Sequence, residues 1–164
     1  MGKPKIYNNE EEIGNCCDGE IIVENLTNDN FNKEIDLVNY IVLNIDKFVN
    51  DILNDELISF EIDMPINKQN RLAPRGRRID LFIKGKNKTY IIETKNPSTG
   101  TENRFAIGQV LDYGREFTDP QKELIIITTK FDLNTAKTIR YYNLPIRYIY
   151  LSKKRILEFI DEYK

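Results

Sequence analysis

Phe31, Ile35, Val38, Val42, Ile45, Val49 and Ile52 recur in steps of three and four, which describes one face of an amphipathic helix. Asp29 or Asn30 can cap it, and Glu34 falls on the edge of the apolar stripe. The period then changes to two: Ile58, Phe60, Ile62 and Met64 alternate with Ser59, Glu61 and Asp63, as in a half-buried strand. After a loop holding Pro65, Pro74 and Gly76, residues 79–84 and 89–95 read as two strands joined by the turn Gly85-Lys86-Asn87-Lys88. Thr99-Gly100-Thr101-Glu102 has capping-box form and predicts a helix over about residues 100–117. The apolar run 124–128 predicts a buried strand, 132–142 a short helix stopped by Asn143 and Pro145, and 146–151 a further strand. Ser152 is placed to cap a last amphipathic helix.

The order is therefore αβββαβαβα, an α/β protein with a mixed central sheet flanked by helices. Residues 1–28, rich in Gly, Asn and Glu with one strand candidate at Glu20-Ile21-Ile22-Val23, form an N-terminal arm, and residues 29–164 a single domain.

Composition changes this picture mainly through what is missing. Among 164 residues there is no histidine, which excludes Ser-His-Asp and Cys-His hydrolases and the HExxH metalloproteases. The two cysteines, Cys16 and Cys17, are adjacent and too few for a zinc finger or zinc deaminase. Any metal must be held mainly by oxygen, which favours Mg²⁺, Mn²⁺ or Ca²⁺. Free thiols, the lack of a signal-like opening and apolar runs no longer than a strand lead us to expect a soluble, cytoplasmic protein. The formal net charge of -2 argues against coating of nucleic acid by bulk attraction. Its distribution is uneven, however: Lys68, Arg71, Arg75, Arg77, Arg78, Lys84, Lys86 and Lys88 face a single acid, Asp80, over residues 68–88. Such a strip is either a localised polyanion site or a solvated loop and hairpin.

The hairpin carries the candidate chemistry. With residues 85–88 as the turn, Lys84 pairs with Thr89, Phe82 with Ile91 and Asp80 with Glu93. Asp80, Glu93 and Lys95 then share one face. Paired carboxylates repel unless a cation lies between them, and Mg²⁺ or Mn²⁺ would satisfy both, with the Thr94 carbonyl as a further ligand. Beside a metal, Lys95 would be shifted towards its neutral form and could orient or deprotonate water. That set suits attack on a phosphodiester, with the basic strip gripping the phosphate backbone.

Arg78-Ile79-Asp80 followed by Ile92-Glu93-Thr94-Lys95 resembles the Asp…Glu-x-Lys signature of the PD-(D/E)xK nucleases, whose core is the restriction-endonuclease-like αβββαβ fold. Glu34 matches the upstream glutamate that members use at or beside the metal. Gln109-Val110-Leu111-Asp112-Tyr113 has the Gln-x-x-x-Tyr form of the RecB-type and archaeal repair branches, and the segment also resembles nuclease domains of type I restriction subunits. Ile79 stands where the signature has proline. The resemblance implies a Mg²⁺- or Mn²⁺-dependent deoxyribonuclease in repair, recombination or defence, with DNA as partner. In it Asp80, Glu93, Glu34 and the Thr94 carbonyl hold metal, Lys95 handles water, and Arg71, Arg75, Arg77, Arg78, Gln109 and Tyr113 meet the nucleic acid. With one site per chain, double-strand cutting would require a homodimer.

Plainer readings exist for each feature. Glu-x-Lys arises often in a chain that is 30% charged. Gln109 and Tyr113 could be a helix-to-sheet contact, and Tyr141, Tyr142, Tyr148 and Tyr150 fit core and strand positions better than base-stacking ones. Two further functions use the same scaffold: a DNA-binding module without catalysis, and an RNA-processing nuclease.

Overall fold

The computed structural model describes residues 33–66, 77–96, 99 and 101–151. The arm 1–28 with its cysteines, the caps Asp29 and Asn30, Phe31, the arginines Arg71 and Arg75, and the helix after Ser152 lie outside the described residues.

The element order agrees with the expected α/β architecture. Helix α1 (Glu34–Leu43) continues through a short turn (Ile45–Lys47) and a π-helical turn (Phe48–Ile52). Strands β1 (Leu57–Pro65), β2 (Arg78–Gly85) and β3 (Thr89–Lys95) follow, then helix α2 (Thr101–Arg115), β4 (Lys122–Thr128), α3 (Leu133–Tyr141) and β5 (Ile146–Tyr150). The sheet has the order β1-β2-β3-β4-β5, antiparallel through β3 and parallel from β3 to β5.

Both faces of the sheet are covered. Leu37, Val38, Ile41, Phe48 and Val49 pack on Leu81, Ile83, Tyr90, Ile92, Ile125 and Ile127. On the other face Ala106, Val110, Tyr113, Ala136 and Ile139 meet Ile91, Leu124, Ile126, Ile146 and Tyr148. Successive strand residues point to opposite faces, so β4 must be apolar at every position of Leu124, Ile125, Ile126 and Ile127 to fill both layers. Gly114 lets α2 approach β4 closely, since a Cβ there would lie 2.7 Å from a Leu124 methyl.

Four local expectations change. The first helix is broken at Asn44, whose side-chain amide donates to the Tyr40 carbonyl at 3.1 Å. A side chain competing for the backbone ladder is a known cause of such breaks. Val38, Ile45, Val49 and Ile52 of the expected stripe are buried, whereas Ile35 is exposed and Leu37, Ile41 and Phe48 join the buried face. Among the described residues strand β1 is an edge strand, with a bulge between Leu57 and Ser59, and Ile58 and Phe60 are exposed. Finally, alternation fails at Asp63, which has a left-handed φ of 52°. Ile62 and Leu81 belong to the α1-side core, yet Met64 and Ile79, two residues on along each strand, belong to the α2-side core.

The β2–β3 hairpin has the expected register, with Lys84 opposite Thr89, Phe82 opposite Ile91 and Leu81 opposite Ile92. Asp55 pins its turn. Its buried carboxylate accepts the amides of Glu56 (2.8 Å), Asn87 (3.1 Å) and Lys88 (3.1 Å), the Asn87 side chain (2.9 Å) and the Tyr90 hydroxyl (2.9 Å). Gly85 makes room, because a Cβ there would sit 2.3 Å from an Asp55 oxygen. Burial raises the Asp55 carboxyl, but these hydrogen bonds outweigh it and hold the group below its ordinary value.

A depressed carboxyl stabilises the fold at pH values above its unfolded pKa and loses that contribution as pH falls through the folded one. Asp55→Ala should therefore destabilise the protein by about 3 kcal/mol at neutral pH by leaving several donors unpaired. The gap between wild type and variant should narrow in acid below the ordinary value of 3.8. Urea unfolding of both proteins across pH measures this. Equal stability at neutral pH would remove the clamp.

Candidate active site

Strand β3 lies in the middle of the sheet, and all its positions but the last are buried. Glu93 is placed there by the register that buries Ile91 on the same face, and only 2% of its surface is exposed. Its Oε1 accepts from Lys95 Nζ at 2.8 Å, as expected for residues two apart on one strand face. Its Oε2 is buried and has no donor among the described residues. Burial, reinforced by the charge of Asp80 and opposed by Lys95, pushes the Glu93 carboxyl up to about 7.

Asp80 departs from the expected geometry. The hairpin ladder stops at Leu81–Ile92, and the Asp80 carboxylate turns to the edge of β3. There Oδ2 accepts the Thr94 amide (2.7 Å) and the Thr94 hydroxyl (2.9 Å). The switch of faces next to Asp63 explains this, because Asp80 lies between Ile79 and Leu81, which point into different cores. Asp80 still acts on Glu93 through its charge.

Lys95 is bracketed by acids. Glu34, in the first turn of α1, brings Oε1 to 3.8 Å from Lys95 Nζ, so the start of α1 lies beside the end of β3. Burial lowers the Lys95 ammonium, but Glu93, Glu34 and Asp80 outweigh it and hold the group above its ordinary value. The acids on both sides set the direction of this shift. Burial, Asp80 and Glu102 raise the Glu34 carboxyl despite the pull of Lys95.

Helix α2 brings in the Gln-x-x-x-Tyr pair. Residues four apart share a helix face, and Gln109 hydrogen-bonds the Tyr113 hydroxyl. Burial and the nearby Glu93 charge raise the Tyr113 hydroxyl. A cleft of about 420 Å³ is lined by Glu34, Lys95, Asn96, Glu102, Phe105 and Gln109. Sequence reasoning did not single out Asn96, Glu102 or Phe105. Phe105 and Glu102 could have been found by extending the Gln109–Tyr113 face back by one and two turns respectively.

The described arginines are engaged elsewhere. Arg77 joins the end of α2 through Asp112 and Glu116, the latter at 3.0 Å. Arg78 binds the Asp63 carboxylate at 2.5 Å and its carbonyl at 2.6 Å. Glu93, Lys95, Glu34, Gln109 and Tyr113 thus come together, with Thr94 and Asp80 at the strand edge, and Arg77 and Arg78 form separate ion pairs. Among the described residues no three Asp, Glu or Cys side chains converge as a ready metal cluster.

No family model and no curated protein matches the chain. Among solved structures, the chain is similar to the small subunit of a heterodimeric restriction endonuclease. The two are 12% identical over 79% of this chain and 76% of that one, with a TM-score of 0.45. No helix among the described residues is long and apolar enough to cross a membrane.

A raised carboxyl keeps a proton in the folded state that the unfolded chain releases. Its contribution to stability therefore declines as pH rises from about 4.5 to about 7 and is level above that. Replacing Lys95 removes the charge that holds Glu93 down. In Lys95→Met the Glu93 carboxyl should titrate above its wild-type value, as followed by NMR of the labelled side-chain carbon. An unchanged or lower value would mean that Lys95 does not set the charge on Glu93.

Proposed function

We propose that this protein is a Mg²⁺- or Mn²⁺-dependent nuclease that hydrolyses phosphodiester bonds of DNA. The observation that carries the reading is Glu93. A buried carboxylate with one oxygen unpartnered, raised to about 7 and backed by Asp80, is an arrangement that a hard divalent cation would stabilise.

The donors fit such an ion in kind: Glu93 Oε2, the Asp80 carboxylate and the Thr94 carbonyl, with Glu34 acting directly or through water. When bound, the ion would neutralise phosphate charge and make water more acidic. The chain's own groups supply the rest. Lys95, charged and fixed by Glu93 and Glu34, would donate to a phosphate oxygen or orient the attacking water. Tyr113 and Gln109 would hold the substrate or the lysine in place. Arg71, Arg75, Arg77 and Arg78 would meet the phosphate backbone, for which Arg77 and Arg78 would exchange their carboxylate partners for phosphates. The protein would act in repair, recombination or defence, as a homodimer where both strands are cut.

One observation favours the reading of a DNA-binding module without catalysis: Asp80 Oδ2 is already committed to Thr94. Cleavage separates the two. A labelled panel of single-stranded, duplex, flap, junction and mismatched DNA, with a matched RNA strand, is incubated with Mg²⁺, Mn²⁺ or EDTA. The nuclease reading expects metal-dependent cutting that Asp80→Ala and Lys95→Ala reduce by at least a hundredfold, on the order of a lost acid–base or electrostatic contribution. Equal cutting by the variants overturns the site, and preferential cutting of RNA reassigns the substrate.

Metal binding has its own readout. Saturating Mg²⁺ or Mn²⁺ should raise the melting temperature of wild type, corresponding to about 2.7 kcal/mol at a hundredfold excess over Kd. Glu93→Ala should remove the shift. A shift that persists in Glu93→Ala would place the ion elsewhere.

A further inference from the structure

Tyr141 and Tyr142, which the sequence pattern suggested as core residues, are 82% and 67% exposed. Tyr148 and Tyr150, by contrast, are buried as expected. The two exposed rings meet edge to face, with centroids 4.9 Å apart, at the C-terminal end of α3. They line a groove of about 780 Å³ between α2 and α3 together with Arg104, Asn134, Lys137, Thr138 and Arg140. Lys137 and Arg140 have no carboxylate partner among the described residues, and Arg104 has only a distant one, Asp132 at 4.0 Å. In a chain of net charge -2 this groove is locally cationic.

The groove rests on a rigid base. Asn103, fully buried, donates to the Lys130 carbonyl (2.6 Å) and the Tyr148 hydroxyl (3.0 Å) and accepts from Thr128 (2.9 Å). The Tyr148 hydroxyl in turn accepts the Asp132 amide, and Asp132 caps α3. The spacing of α2 and α3 is thereby fixed from below.

Helix α2 also separates the groove from the cleft of the candidate active site. Glu102, Phe105 and Gln109 face the cleft, and Arg104 faces the groove. Phe105 is 68% exposed on the cleft side of the helix that divides them. Exposed aromatic rings interleaved with cations are the chemistry of single-stranded nucleic acid binding, in which bases stack and phosphates pair with Lys and Arg. A duplex keeps its base faces stacked internally and cannot use the rings.

We infer that the α2–α3 groove binds an unpaired nucleic-acid strand, its bases on Tyr141 and Tyr142 and its phosphates on Lys137, Arg140 and Arg104, with the strand crossing α2 at Phe105 into the active cleft. This rests on the nuclease reading only for the direction of the strand. The substrate class it names is nucleic acid with a single-stranded portion.

The test is fluorescence anisotropy of the full chain in EDTA with labelled single-stranded DNA, single-stranded RNA and blunt duplex. It compares wild type, Asp80→Ala, Tyr141→Ala/Tyr142→Ala and Lys137→Glu/Arg140→Glu, with thermal melting to confirm folding. Wild type and Asp80→Ala should prefer single strands. The tyrosine variant should bind them on the order of tenfold more weakly. The cation variant should bind more weakly still, and its salt dependence should flatten by about 0.7 per removed charge. Unchanged binding in both variants overturns the proposal. So does loss in the cation variant alone with equal affinity for duplex, which would make the groove a general polyanion patch. Intact single-strand binding in a chain that cuts nothing would uphold the groove and remove the nuclease reading.

Discussion

The structure is organised around a carboxylate in the strand that can least accommodate one. β3 is hydrogen-bonded on both edges and covered on both faces, so Glu93 has lost nearly all contact with water. Such a group must be protonated, paired or coordinated. Lys95 meets the requirement in part, through Oε1, and leaves Oε2 unanswered. The neighbours add to the strain: Asp80 and Glu34 both bring more negative charge towards the same point. A sequence selected only for stability would replace Glu93 with an apolar residue, as at Ile91 and Ile92 beside it. Arrangements that cost stability in this way are found where a function requires the charge.

That placement depends on an interaction at the other end of the hairpin. A register slip of one residue would move Glu93 and Lys95 to the α1 face and bring Thr94 into their place. The register is set by the turn, and Asp55 gathers the turn's amides, the Asn87 side chain and the Tyr90 hydroxyl onto one carboxylate. Asp55 and Glu93 are both buried acids, but with opposite outcomes. Five donors hold the first below its ordinary value, whereas one ammonium leaves the second above it. The contrast separates a structural acid from a candidate functional one on hydrogen bonding alone.

Elements with strong local signals were legible in the sequence. The turn at 85–88 gave the hairpin pairing, the unbroken apolar run gave β4, and the Gln109–Tyr113 spacing brought both side chains towards Glu93. Glu34 reaches Lys95, a contact that the apolar stripe did not specify. What was hidden depends on tertiary geometry. Nothing in the pattern Ile62-Asp63-Met64 announces a left-handed residue that divides two apolar neighbours between separate cores. Asn44 breaks its helix by a side-chain bond that competes with an otherwise regular period. Ile58 and Phe60 alternate correctly, but an edge strand has less to cover it, so correct periodicity did not produce burial. Tyr141 and Tyr142 failed for a related reason: the pattern at the end of α3 does not say whether another element covers them, and they are exposed.

The charges follow a consistent division. Arg77 and Arg78, the most prominent cations in the sequence, are bound to Asp112, Glu116 and Asp63 and tie the hairpin to its neighbours. A cation already paired must give up its carboxylate before it meets a phosphate, so the exchange open to Arg77 and Arg78 yields less than binding by an unpaired cation. Lys137 and Arg140 carry no such cost among the described residues, and the tyrosines next to them add a surface that water does not satisfy. Attraction for a polyanion should therefore be greatest away from the acids of the active cleft, which themselves repel phosphate. Under the proposed function this separation has a physical advantage: the groove would hold a strand by charge and stacking, and the acidic cleft would admit phosphate only when a cation had offset Glu93, Asp80 and Glu34.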